Sequence, residues 1–244
     1  MNTSQDFYDT YHLKNDAFVK KIGFYNFTYY YLLRSLQKAY RLLGKRPTVL
    51  DIGCGVGTIA LYLSDFSQFV VGIDLSERAV SIARAGARST NSSNAKFYCN
   101  QMRSFNQIFD LVVATEIIEH VSDEKDFLKK IHTSLAPNGL LLLSTPLTDN
   151  ILVKTKLYKN FDSEVGHLRR YTQESITSLL QKQRFQIVEA RKTESPLRNL
   201  LYILHLDLII KFIKGPLVPL FHWFDELLIP LLGASNISII AKKI

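Results

Sequence analysis

Cysteine is nearly missing from this sequence. Two in 244 residues, Cys54 and Cys99, exclude a disulfide scaffold and read most simply as a chain kept in a reducing compartment. Eleven glycines and seven prolines exclude a collagenous or low-complexity chain, and neither a Gly/Ser-rich or Pro-rich linker nor an internal repeat divides it. Met1 to Lys14 is polar and acidic and lacks the apolar segment of a secretory signal, so a cytoplasmic location is expected.

What is present is a core. Forty-seven per cent of the residues are hydrophobic, too many for a disordered chain, and the length suits one cored domain with an elaboration. Thirty basic residues against 22 acidic ones give a formal charge of +8, unevenly spread: +5 over residues 1–46, −3 over 47–150, +4 over 151–196 and +2 over the remainder. An acidic middle with basic flanks can meet an anionic substrate, a membrane surface or nucleic acid. The charges stand singly and no recognition motif accompanies them, so no nucleic acid is expected.

From residue 47 onward short apolar runs alternate with helical periodicity. Strands are expected at Thr48–Ile52, Gln68–Asp74, Lys96–Cys99, Phe109–Thr115 and Leu140–Ser144. Helices are expected between them, with Ser76 and Ser122 as N-caps and a turn at Pro137–Gly139. After a long loop from Pro146 to Tyr171 follow a helix over Thr172–Gln183, a strand over Phe185–Ala190, apolar helices within Pro196–Gly233 and a last strand over Asn236–Lys242. Such alternation implies a doubly wound α/β sheet whose ligands sit beyond the carboxyl ends of the strands. The first 46 residues, with six tyrosines between Tyr8 and Tyr31, read as a helical cover over one end of it.

The strongest local signal is Val49-Leu50-Asp51-Ile52-Gly53-Cys54-Gly55-Val56-Gly57, a buried strand ending in a glycine turn that opens a helix. Such glycines let the backbone pass closely over a ligand, and the helix start offers unpaired N–H groups. Asp74 closes the next strand, 17 residues beyond Gly57, where a carboxylate can accept hydrogen bonds from both hydroxyls of a ribose. Together they describe an adenosine pocket. A nicotinamide oxidoreductase uses a similar turn, but its fingerprint wants a third glycine where this chain has Thr58.

The blocks VLDIGCGVG (49–57), VGIDLS (71–76), FDLVVATEIIEHV (109–121) and LAPNGLLLLSTP (135–146) resemble the class I S-adenosylmethionine-dependent methyltransferases over about Pro47 to Ala190. Within them, and through GHLRRYTQESITSLLQKQRF at 166–185, the chain is similar to the group holding the ubiquinone-pathway O-methyltransferases. The resemblance implies a mainly parallel seven-stranded Rossmann-like sheet with its last strand antiparallel. Together with the pattern of elements, it gives an N-terminal helical cover (1–46), a cofactor-binding core (47–195), an apolar helical insertion (196–234) and a last strand (235–244). It implies that Gly53, Gly55 and Gly57 pass under the methionine part of S-adenosylmethionine, and that Asp51 helps hold its amino group. Asp74 would take the ribose hydroxyls and Leu75 and Met102 would sandwich the adenine with Gln101 at its edge, with Cys54 and Thr115 also among the cofactor-binding residues. Where members often carry an acidic residue after the third strand, this chain has Cys99-Asn100-Gln101-Met102. A non-catalytic S-adenosylmethionine-binding protein is a further reading, against which the intact block Thr115–His120 speaks.

Glu116, Glu119 and His120 follow the fourth strand, and on a helical turn their i, i+3, i+4 spacing projects all three to one side. With His167 they form a candidate catalytic set, either as a general base for a hydroxyl nucleophile or as ligands of a divalent cation, Mg²⁺ or Zn²⁺. Their structural reading is a loop-orienting or capping role. Arg169 and Arg170 suit an anionic group on the acceptor or a solvated turn. The expected acceptor is a small or lipid-like molecule carrying a hydroxyl.

The apolar stretch Leu197–Leu232 is interrupted by Asp207, Lys211, Lys214, Gly215-Pro216 and Asp225-Glu226, which speaks against a membrane span. Two amphipathic helices are expected, with His222, Asp225 and Glu226 sharing one side of the second. They serve either as a lid over the acceptor pocket or as a contact with a membrane surface. The oligomeric state is not legible from the sequence.

Overall fold

The computed structural model describes residues 22–99, 107–155, 162, 165–203, 213 and 215–244. Helix α1 (Tyr30–Leu43) precedes β1 (Thr48–Ile52), α2 (Thr58–Ser64), β2 (Phe69–Asp74), α3 (Glu77–Ser89), β3 (Ala95–Cys99) and β4 (Phe109–Thr115). A 3-10 turn at Ile118–His120 leads to α4 (Glu124–Ser134), β5 (Leu135–Pro146), α5 (Ile151–Lys154), α6 (Gln173–Lys182) and β6 (Phe185–Thr193). Then come α7 (Pro196–Ile203), α8 (Leu217–Leu232) and β7 (Asn236–Lys243).

The strands form one seven-stranded sheet in the order β3-β2-β1-β4-β5-β7-β6. β1 pairs in parallel with β2 and β4, and β7 runs antiparallel between β5 and β6. This is the doubly wound sheet the motif order implies.

Alternation along the central strands fills two cores. Leu50, Ile52, Val112, Ala114, Leu141 and Leu143 face one side, with Leu128 and Ile131 of α4 and Leu180 of α6. Val49, Val70, Leu111, Val113, Leu140 and Leu142 face the other, with Leu33, Leu36 and Ala39 of α1 and Val80 and Ala83 of α3. Strands covered on both faces read as continuous apolar runs, which is why these were legible.

Caps and turns refine the expected boundaries. Ser76 Oγ accepts from Ala79 N at 3.1 Å and caps α3 as expected. The cap of α4 is Asp123, not Ser122: its Oδ1 accepts from Lys125 N and Asp126 N, and a charged acceptor suits the positive end of a helix. Pro137–Gly139 does not precede β5 but lies inside it, as a bulge over which the register moves from Phe109↔Leu135 to Leu111↔Leu140 and Asn138 takes φ +62°.

The chain leaves β6 at Thr193 and re-enters β7 at Asn236, which pairs with Thr193 on one side and with Pro146 on the other. The segment between them therefore springs from the carboxyl edge of the sheet, where the loops after β1, β2 and β4 also lie. α1 lies against β5 and β7.

Candidate active site

The turn after β1 is the first wall of the site. Gly53, Gly55 and Gly57 have φ of +70°, +52° and +83°, conformations side chains resist. Gly53 N and Cys54 N both donate to Ile73 O at the end of β2, which ties the turn to the sheet. A Cβ at Gly53 would fall 2.0 Å from Ile117 Cδ1 and one at Gly57 2.8 Å from Ala83 Cβ, so the turn is also closed by packing.

Two carboxylates flank it. Asp74 Oδ2 accepts from Gly55 N at 2.8 Å while Oδ1 accepts from Ser76 N at 2.9 Å, so one side chain couples the glycine turn to the start of α3. Asp51 is 1 % exposed, and neither of its oxygens has a hydrogen-bond partner among the described residues. Burial, then the nearby Asp74, pushes its carboxyl up to about 8, and the Ala60 amide, which lies outside hydrogen-bond geometry, is the smallest influence and opposes the shift. A buried, unpartnered carboxylate beside a glycine cradle lacks a cation, and the amino group of a bound amino-acid moiety is such a cation. Leu75 is half-buried, and its carbonyl accepts from Cys99 Sγ at 3.3 Å. Gln101 and Met102 lie outside the described residues.

Beyond β4 the backbone turns sharply. Thr115 ends the strand opposite Ser144 of β5, and Glu116 takes φ +55°. Glu116 Oε1 accepts from Ser144 Oγ at 2.6 Å and Asn236 Nδ2 at 2.9 Å. Glu119 is wholly buried, and its Oε2 accepts from Thr145 Oγ1 at 3.0 Å. Burial, followed by the charge of Glu116, pushes the Glu119 carboxyl up to about 9.

His120 Nδ1 lies 3.0 Å from Gly166 O, which makes Nδ1 the protonated nitrogen and leaves the lone pair on Nε2. His167 Nδ1 lies 2.9 Å from Asp162 Oδ1, and the two imidazole rings meet edge to face at 4.9 Å. Burial lowers the pKa of both histidines, so both are neutral at physiological pH.

Glu119, His120 and His167 can each aim one ligand atom so that all three lie within 4.8 Å of one another. Glu116 is not in that group. The helical-face argument fails for it because its left-handed backbone places it before the 3-10 turn, and its carboxylate is turned to Ser144 and Asn236. Asn236 and Thr145 are the partners sequence reasoning missed; they come from strands remote from the EIIEH block, and only sheet pairing reveals them.

The two arginines are engaged as well. Arg169 pairs with Glu124 and donates to Ser122 O, and Arg170 forms a forked pair with Asp162. They brace the loop carrying His167 and do not present themselves to an anionic acceptor.

Comparison with known proteins agrees with this geometry. A family model described as a methyltransferase domain matches residues 25–190, more than half of the chain. The chain belongs to the class I S-adenosylmethionine-dependent methyltransferases. The ubiquinone biosynthesis O-methyltransferase of Bradyrhizobium diazoefficiens is 36% identical over 99 residues, covering 40% of this chain and 39% of that protein. The Coxiella burnetii protein of the same name is 30% identical over 116 residues, covering 46% of this chain and 48% of its own. The chain thus spans less than half the length of these relatives.

Among solved structures, the N-methyltransferase NodS of Bradyrhizobium japonicum, holding S-adenosyl-L-homocysteine, superposes with a TM-score of 0.62 at 16% identity, covering 100% of this chain and 99% of that one. The magnesium protoporphyrin IX methyltransferase of Synechocystis gives 0.63 at 13%, covering 99% and 98%. The 4+2 cyclase SpnF gives 0.67 at 18%, covering 99% and 95%. These likenesses concern the fold alone. The orphaned Asp51 carboxylate fits the charged amino group of S-adenosylmethionine, the cofactor after which that family is named.

Proposed function

We propose that this methyltransferase acts on a hydroxyl of an amphiphilic acceptor, of lipid, quinone or sugar type. The observation that carries the reading is the Glu119–His120–His167 cluster beyond β4, with Glu119 buried and both histidines half-buried, on the same sheet edge as the glycine turn. The O-methyltransferase relatives, named for ubiquinone biosynthesis, support a hydroxyl acceptor.

In this reading Asp51 holds the amino group and Asp74 the ribose hydroxyls of the cofactor. Gly53, Cys54, Gly55 and Gly57 cradle its methionine part, Leu75 and Met102 flank the adenine with Gln101 at its edge, and Thr115 closes the pocket. When bound, S-adenosylmethionine supplies a sulfonium methyl group with its leaving group already in place. The protein's work is alignment to about 3 Å and removal of one proton. Nε2 of His120 would take the proton of the acceptor hydroxyl, whose oxygen would receive the methyl group that the bound cofactor would supply. His120 is oriented for this by Gly166 O, and Glu119 by Thr145.

The same cluster favours a second reading. Two imidazoles and a carboxylate suit a divalent cation that lowers the hydroxyl's pKa, and the nitrogen donors fit Zn²⁺ better than Mg²⁺. The division into a helical cover (1–46), a core (47–195), an insertion (196–234) and a last strand (235–244) belongs to this proposal, as do a cytoplasmic location and peripheral membrane contact through 197–232.

A labelled-methyl assay over lipid, quinone and sugar fractions tests the acceptor. Label in an ether-forming position supports the reading, and label on nitrogen or carbon overturns it.

A further inference from the structure

Helix α8 is built inside out. Its buried residues are Val218, His222 and Asp225. Asp225 Oδ2 accepts from Tyr31 Oη at 2.9 Å and Ser195 N at 3.0 Å, and Oδ1 accepts from Ser195 Oγ at 2.5 Å. His222 Nε2 meets Phe27 O at 3.1 Å, and its ring stacks on Tyr30 at 4.5 Å and 3°. The polar side of the helix is therefore consumed in gripping residues 27–31.

The opposite side is apolar and bare. Leu217, Leu220, Phe224, Leu227 and Leu231 recur at i, i+3, i+7, i+10 and i+14 and are 51, 59, 49, 52 and 81 % exposed, with Trp223 beside them at 60 %. An exposed apolar face this long marks an interaction site, and no charged side chain stands on it. This is the reverse of a lid whose apolar face roofs the sheet. No helix among the described residues is long and apolar enough to cross a membrane.

Charge selects the occupant. A second copy would bring its own +8, whereas an anionic surface is complementary to it. At the C-terminal end of α8 a groove of about 370 Å³ is walled by Ile151, Pro230 and Leu231, with Lys154, Lys192 and Asp149 beside them. Lys192 is already paired with Asp149.

We propose that the 217/220/224/227/231 face of α8, with Trp223, lies in the interface of an anionic membrane leaflet. The exposed apolar stripe and its aromatic residues suit the interface, and Lys154 beside the end of the helix together with the net charge of +8 favours an anionic leaflet. Because 194–235 springs from the carboxyl edge of the sheet, docking would bring the mouth of the site to the leaflet. The docking stands on α8; its use in delivering the acceptor rests on the reading above.

Trp223 is the chain's only tryptophan, so its emission reports this face alone. With the full chain and vesicles of phosphatidylcholine mixed with phosphatidylglycerol, its emission should shift to the blue and the protein should float. Both effects should weaken at high salt and on phosphatidylcholine alone. The double variant Leu220→Glu/Leu227→Glu should lose at least about tenfold in vesicle affinity while binding S-adenosylmethionine like the parent in calorimetry. The milder Leu220→Ala/Leu227→Ala variant should fall between them, which guards against a folding defect in the first.

No shift on mixed vesicles at low salt, or undiminished binding by the Glu variant, overturns the proposal. So does a blue shift that needs no lipid and follows dimer formation in sedimentation, which assigns the face to a second copy. A protein that floats but methylates no hydroxyl leaves the docking standing and removes the acceptor reading. One that methylates but never floats does the converse.

Discussion

Gly55 N donates to Asp74 Oδ2 at 2.8 Å, so the acidic residue that ends β2 also fastens the turn that follows β1. The two parts of the cofactor pocket are thus one hydrogen-bonded unit. Asp74→Ala removes both the ribose acceptor and this tie, along with the bond to Ser76 N. Calorimetry should show S-adenosylmethionine binding weakened by roughly 1.5–3 kcal/mol, the range for hydrogen bonds to a charged group. Unchanged affinity would move the adenosine pocket elsewhere.

Asp51 makes binding sensitive to pH. Its carboxyl is pushed up to about 8 in the unliganded fold and titrates well below that in an unfolded chain. The folded state therefore holds the extra proton, and stability on this account is fullest at acid pH and lost as pH rises through about 8. Pairing with a cationic amino group needs the ionised form. Cofactor affinity should accordingly rise with pH from about 6 to 8, by up to about tenfold per unit, with a proton released on binding. Calorimetry in buffers of different ionisation enthalpy measures that proton. Asp51→Asn should release none and should flatten the pH dependence of thermal unfolding; a retained proton release would exclude Asp51 as its source.

How much of this was legible follows from where the determinants lie. Thr48–Ile52 and Phe109–Thr115 fold within their expected bounds because both faces of these strands are covered and a sharp turn ends each. Ser122 was a fair cap by residue type, but Asp123 occupies the extended position with its carboxylate aimed at the first turn. The grouping of Glu116 with Glu119 and His120 assumed a continuous helix, which the left-handed Glu116 interrupts. In α8 the spacing located the polar side correctly, with His222 and Asp225 on one face, but periodicity is silent on which face points inward. That is decided by Tyr31, 194 residues away in the sequence, and by Ser195.

His120 should act in turnover and not in cofactor binding, since it sits beyond β4 while the glycine turn follows β1. His120→Ala should lower kcat by about 10²-fold or more with S-adenosylmethionine affinity nearly intact. Because burial lowers the pKa of His120 and His167, the acid limb of the rate profile should lie below the ordinary histidine range near about 6.5. Loss of activity with a chelator and recovery with Zn²⁺ would select the cation over the general base. Full activity in His120→Ala would remove both.

The last prediction concerns the anchor of α8. Tyr31 of α1 donates to Asp225, and burial together with that carboxylate raises the phenol far above its usual range, so the O–H remains a donor across the accessible pH range. Ser195 supplies the other two bonds from the chain just before α7. Tyr31→Phe keeps the ring against His222 and deletes one hydrogen bond to a buried carboxylate, at a cost of about 1.5–3 kcal/mol. For a domain of this size that lowers Tm by about 3–12 °C. Hydrogen exchange should quicken in α8 first, because its grip on residues 27–31 is what loosens, while cofactor affinity stays unchanged because the glycine turn is not part of this network. A parental Tm with parental exchange in 217–232 would mean that packing of Val218 and the aromatic rings holds the helix, and that the buried carboxylate is not its anchor.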